Sequence, residues 1–239
     1  MQTEFLTAIA VATVAGLMRG FAGVGSGMLM APVFAILFGP IETVAIIVLM
    51  EGVVTVQLIP SVWRRIDWRI IGALGSVAAL FMPLGSYVLT TVDTAVMSRA
   101  MAAIVLVLAI VLMTGWRYEG EKRLTATMAV GAISGTMMAA TSLGNPPVML
   151  YLLSSRDPAA NNRANFTGYF AVTLTVLLIW MTGAGLIRSS SIWHAALLLP
   201  GFAGAAWLGA RLFRKSSEAL YRNLALGLLV CIGVFGLIR

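Results

Sequence analysis

Charge is scarce in this chain. Asp, Glu, Lys and Arg make up 10% of its 239 residues, against about a quarter in a soluble domain. That scarcity excludes a solvated surface, and the 60% hydrophobic content with mean hydropathy +0.96 points to an integral membrane protein, nearly all of it membrane. No segment is polar enough to make a soluble domain. Cysteine and histidine are scarcer still. A lone Cys231 allows no disulfide within the chain, and one cysteine with one histidine, His194, cannot close a metal site. No cofactor and no metal are expected. Ser26 and Ser134 each precede a glycine, which invites comparison with an intramembrane serine protease. A serine nucleophile needs its base within hydrogen-bond reach, however, and His194 stands at the start of a different segment. The chain is therefore not expected to be an enzyme. The start, Met1–Glu4, lacks the basic region of a signal peptide. Net charge +7 does not imply nucleic acid, because the basic residues lie in short connections, as cytoplasmic loop bias places them.

The apolar runs are what is present. Phe5 to about Met18 is a first segment, followed by a glycine stretch, Gly20-Phe21-Ala22-Gly23-Val24-Gly25-Ser26-Gly27, then Met28 to Phe38. The pair is short for two crossings, which need about 40 residues, so it forms two short tilted helices or a re-entrant hairpin. Segments of spanning length follow at Ile41–Pro60, Ile70–Leu89 and Ala95–Trp116, then a charged connection, Arg117–Arg123. Leu124–Leu153 is another apolar run, interrupted by Thr141-Ser142-Leu143-Gly144-Asn145-Pro146-Pro147. A polar loop, Ser154–Asn165, precedes spans at Phe166–Met181, Ile192–Leu212 and Leu220–Ile238, with Asn161-Asn162-Arg163 expected to cap the first of these. His194, beside Trp193, is expected at a membrane interface rather than in chemistry.

The second half echoes the first. A shift of 115 carries Gly16 to Gly131, Gly20 to Gly135 and Pro32 to Pro147, with looser echoes at Trp68/Trp193 and Arg99/Arg222. The expected fold is all-α, with two repeats, 1-118 and 119-239, each a broken helical hairpin plus three transmembrane helices. Five segments per half make the repeats inverted. Loop charge supports this: Arg64, Arg65 and Arg69 mark a cytoplasmic loop whose mate, Gly183–Ser191, has only Arg188, while Arg211, Arg214, Lys215 and Arg222 face a mate with Asp93 and one arginine. Both termini then lie outside, and the loop with Arg117, Lys122 and Arg123 inside. Two broken segments at matching places are the strongest sequence pointer to a transporter's binding site. The plain alternative is close packing through small residues.

The pattern Gly-Phe-x-Gly-x-Gly-x-Gly with Pro32, then Ser134-Gly135, Gly144-Asn145-Pro146-Pro147-Val148-Met149-Leu150-Tyr151-Leu152 and Arg163-Ala164-Asn165, resembles the TauE/SafE family of sulfite and organosulfonate exporters over essentially the whole chain. Ser26 and Asn145 stand where glycines are common in that family, and Thr43-Val44-Ala45 occupies the region of its Gly-Thr-Ser. The resemblance implies a carrier in the cytoplasmic membrane for sulfite, a sulfonate or a related small anion. Its partners are that anion and the lipid bilayer, with a homodimer left open. A channel is the alternative.

Such an anion needs donors and positive potential, which helix N-termini supply. The expected binding residues are Gly23, Val24, Gly25, Ser26 and Gly27 in the first break, and Thr141, Ser142, Leu143, Gly144 and Asn145 in the second. Two ionisable residues stand inside the apolar plan, and intramembrane charges mark function or pairing. Arg19 is read as positive potential for the anion and Glu51 as a carboxylate coupling transport to the proton motive force. The competing reading of both is a structural ion pair, or snorkelling.

Overall fold

The computed structural model describes residues 2–23, 25–114, 124–152 and 159–212. Among these residues the regular elements are all α-helices apart from one 3-10 turn: α1 (Gln2–Ala22), α2 (Ser26–Phe38), α3 (Pro40–Val62), α4 (Trp68–Thr91), α5 (Thr94–Met113), α6 (Leu124–Thr141), α7 (Asn145–Leu152), α8 (Ala159–Gly183) and α9 (Ser189–Leu212). Seven are long and apolar enough to cross a membrane, and α2 is a shorter apolar helix. With hydrophobic side chains such as Leu6, Val56, Leu80 and Val107 on the outer surface, this is a multi-pass membrane protein. The expected last span, Leu220–Ile238, and the connection Arg117–Arg123 lie outside the described residues.

Elements begin where their first residues dictate. Pro40, at the first helical position of α3, loses only an N–H that would lack a partner there. Asp67 caps α4, its side chain accepting from the N–H groups of Arg69 and Ile70. Asp93 does the same for α5 through Ala95 and Val96. Pro83 and Pro200 lie inside α4 and α9.

Two boundaries differ from the sequence reading. Helix α1 does not stop near Met18 but continues through Gly20 to Ala22. Helix α8 begins at Ala159, so Asn161, Asn162 and Arg163 lie within it rather than capping it. The polar loop is therefore shorter than its composition suggested. Tertiary contact replaces propensity there: Asn165 accepts the backbone N–H of Asp67 at 2.8 Å, and Arg163 donates to the carbonyl of Gly20 at 2.7 Å. Polar residues held by partners sit in the second helical turn at little cost.

The largest interfaces pair α1 with α9 and α4 with α6, and glycines make both. Gly16 and Gly20 face the backbone of Phe202 and Ala206, while Gly131 and Gly135 face that of Leu74 and Ala78. In each pair contacting residue numbers rise together, so the paired helices run in the same direction. The matched glycines of the two halves are thus close-packing glycines, each touching the opposite half. At the start of α3, Glu42 accepts from Ser191 at 2.8 Å and meets His194 Nδ1 at 3.2 Å, both near the start of α9. Helices α3 and α9 consequently begin at one face. Helices α4 and α8 begin at the other, joined by Asp67 and Asn165. His194, 29% exposed and stacked on Phe38, lies at an element start as expected, in partnership with Glu42.

Candidate functional site where the two breaks meet

The first break consists of Gly23 and Gly25, with Val24 between them outside the described residues. Gly23 ends α1 at φ 78° and Gly25 starts α2 at φ 97°, a left-handed conformation that glycine adopts without steric cost. The second break, Ser142-Leu143-Gly144, repeats the ending. Ser142 has φ 61° and is the single non-glycine with positive φ among the described residues. Its N–H donates to Met138 O at 2.9 Å, as the Gly23 N–H donates to Arg19 O at 3.0 Å. Both helices therefore stop with the same left-handed C-terminal geometry.

The breaks touch. A Cβ added at Gly27 would lie 2.8 Å from the carbonyl oxygen of Ser142. This places the first turn of α2 against the end of α6, with Ser26, Gly27, Thr141, Ser142, Leu143 and Gly144 all buried. The two helix starts differ chemically. Gly25 gives α2 no side-chain cap, and the Ser26, Gly27 and Met28 N–H groups belong to the turn that no intrahelical carbonyl serves. Helix α7 follows its first residue, Asn145, with Pro146 and Pro147, which carry no N–H. Donors therefore concentrate at α2. Thr141 donates to Met137 O at 2.8 Å and accepts from the Leu143 N–H at 3.3 Å. Its neighbour Ser142 is different: its hydroxyl is buried without a hydrogen-bond partner.

Arg19 and Glu51 lie beside the first break, 0% and 1% exposed, joined Nε to Oε2 at 2.7 Å. Arg19 Nη1 donates to the carbonyl of Gly23 and Nη2 to Thr55 Oγ1 at 2.9 Å, and the guanidinium stands 4.1 Å over the Phe170 ring. Ser26 Oγ donates to Glu51 Oε1. Of the two sequence readings, the buried ion pair is the arrangement present, and it is wired into the break rather than remote from it.

The second half holds its break with hydroxyls. Ser134 Oγ donates to the carbonyl of Gly144 and pairs with Tyr169 at 2.6 Å. Thr127 and Tyr151 make a second such pair at 2.6 Å. Ser134 is the repeat mate of Arg19 at the shift of 115, but Glu51 meets Phe166 at that shift and Tyr169 only at 118. Tyr169, Thr55, Phe170 and Arg163 are therefore site neighbours that the sequence reading missed. Arg163 alone carried a signal, in the quoted Arg-Ala-Asn. Its Cγ would lie 3.0 Å from a Cβ on Gly23, so this arginine of α8 covers the end of α1, where a cation suits the helix dipole.

A cavity of about 410 Å³ lies between α3 and α8. Val48, Val53, Val56, Leu174 and Leu178 line it, with Thr55 on its wall. Its apolar lining does not suit an oxyanion. Among the described residues no cluster of His, Cys, Asp and Glu could hold a metal ion.

The family model described as Sulfite exporter TauE/SafE matches residues 8–236. No curated protein and no solved structure matches the chain.

Proposed function

Since the chain belongs to the Sulfite exporter TauE/SafE family, we propose that it carries sulfite or a related small sulfur oxyanion out across the cytoplasmic membrane, holding the anion where the two breaks meet. The observation that carries this reading is the contact of Gly27 with the Ser142 carbonyl. It brings the uncapped start of α2 to a buried hydroxyl that has no hydrogen-bond partner among the described residues. Backbone N–H groups at a helix start and a spare hydroxyl form an oxyanion cradle. Ser142 is also backbone-strained, a condition that clusters at binding sites. Gly25, Ser26, Gly27, Thr141, Ser142, Leu143 and Gly144 form this cradle, with Gly23 and Asn145 at its edges. Arg19 lends positive potential from behind Ser26 through Glu51.

Depth supports the reading. The 13 residues of α2 extend about 20 Å at 1.5 Å per residue, so they carry the break well into a hydrocarbon core of about 30 Å. Glu51, bonded to Ser26, lies near the middle of α3. The repeats 1-118 and 119-239 are inverted in this account. Helix α1 runs with α9, and α9 begins at the face where α3 begins. Helix α6 runs with α4, which begins at the opposite face.

The test is flux in proteoliposomes with sulfite, sulfate, thiosulfate, sulfonates and carboxylates, with and without potential and pH gradients. Movement of sulfite or a sulfonate, lost in Gly25→Leu and Gly144→Leu proteins that remain monodisperse, is the expected result. Unimpaired flux in both variants contradicts the site.

A further inference from the structure

Glu51 is bonded to groups that a bound anion could use. Its Oε2 receives Arg19 Nε at 2.7 Å and its Oε1 receives the hydroxyl of Ser26, the first residue of α2. Helix α2 has no side-chain cap, and a carboxylate beside an uncapped helix start complements the dipole there as an oxyanion does. Arg19 is completely buried and spends its remaining described bonds on neutral oxygens, the Gly23 carbonyl and Thr55 Oγ1. Glu51 is its anionic partner among the described residues. A buried guanidinium left without an anion is costly, and so is a second anion on a single cation. The site therefore holds one negative charge at a time.

We infer that the Glu51 carboxylate is a tethered stand-in for the transported oxyanion, competing with it for Arg19, Ser26 and the start of α2. Binding of the anion is then accompanied by transfer of a proton from the aqueous phase to Glu51, and release of the anion returns that proton. The inference rests on the site proposed above and adds its regulation. The surroundings give the carboxylate no other charged competitor among the described residues. Helix α2 carries no ionisable residue. On α3, Glu42 is engaged at the far end with Ser191 and His194. On α8, Arg163 donates to Gly20 O and Tyr169 pairs with Ser134. The tether lowers apparent affinity, because only the fraction of protein with Glu51 displaced is competent to bind. It also keeps Arg19 paired in the empty carrier.

The experiment counts protons taken up by the purified wild-type protein, in weakly buffered detergent with a pH dye, as methanesulfonate is added. The charge of this sulfonate is constant over the range used. About one proton per anion bound is expected. Glu51→Gln should bind without uptake, and both Glu51→Gln and Glu51→Asp should bind roughly tenfold more tightly, since the competitor is removed or drawn back. If sulfite alone binds, the same count is made with sulfite against Glu51→Gln as the reference, and Glu51→Asp affinity decides if that variant does not fold. Anion binding without proton uptake, or with unchanged or weaker affinity in a folded Glu51 variant, overturns the inference and leaves the site standing. Failure of both sulfite and methanesulfonate to bind removes the site itself.

Discussion

Two residues carry opposite problems at the break. Ser142 has a buried hydroxyl with nothing to bond, and Arg19 has every described bond in place. An unsatisfied buried hydroxyl stabilises nothing, so Ser142→Ala should leave thermal stability in detergent unchanged or slightly raised. Anion affinity should fall by about 1 kcal/mol, roughly fivefold, the net value of one hydrogen bond. A loss of stability with unchanged affinity would make Ser142 a structural residue. Arg19→Gln strands the Glu51 carboxylate, and removing one partner of a buried pair costs about 3–5 kcal/mol. The double variant with Glu51→Gln should recover much of that loss, which thermal unfolding of the single and double variants measures. The sequence made both charges visible because they interrupt apolar runs. It did not tell potential from pairing, since that depends on whether α1 brings Arg19 within reach of α3, and a separation of 32 positions along the chain leaves this open. Tyr169 was invisible for a related reason. A small slip in the repeat moves its alignment from Phe166, and an aromatic residue in a membrane span is unremarkable until its hydroxyl finds Ser134.

At the scale of elements, composition marked the breaks well, because prolines, glycines and hydroxyls suit helix interiors poorly. It did not separate glycines that break a helix from glycines that pack one. Gly20 looks like part of the break and instead lies inside α1, its missing Cβ admitting the backbone of Ala206. Gly20→Ala should therefore force α1 and α9 apart, with a loss of about 1–3 kcal/mol for overpacking. Gly52→Ala on α3, where nothing lies within 4 Å, should be neutral or stabilising by up to about 1 kcal/mol. Comparing the two by thermal inactivation distinguishes contact from propensity, and equal effects would contradict the packing described. The start of α8 was misread for a local reason. Asn161 and Asn162 favour caps in isolation, but Arg163 is held by Gly20 O and the following Asn165 by Asp67, contacts between halves that no local pattern reveals.

Among the described residues, helices of the first half pack on helices of the second, α1 against α9 and α4 against α6. Glycine spacing suggested a repeat and loop charge its inversion, but this packing between halves was not legible, because sequence periodicity describes one helix at a time. Inversion predicts that single cysteines near Asp93 and Arg188, introduced in a Cys231→Ser background, react with impermeant reagent from outside, and those near Arg65 and Lys215 do not. Mates that label from the same side would make the halves parallel. The central claim is that one oxyanion sits where the breaks meet. Anomalous scattering from selenite, a heavier relative of sulfite, tests it most directly in crystals of the protein. The account predicts one selenium peak within hydrogen-bond reach of Ser142 Oγ and the backbone N–H groups of Ser26–Met28. Selenium bound only elsewhere, in a protein that still transports sulfite, would contradict it.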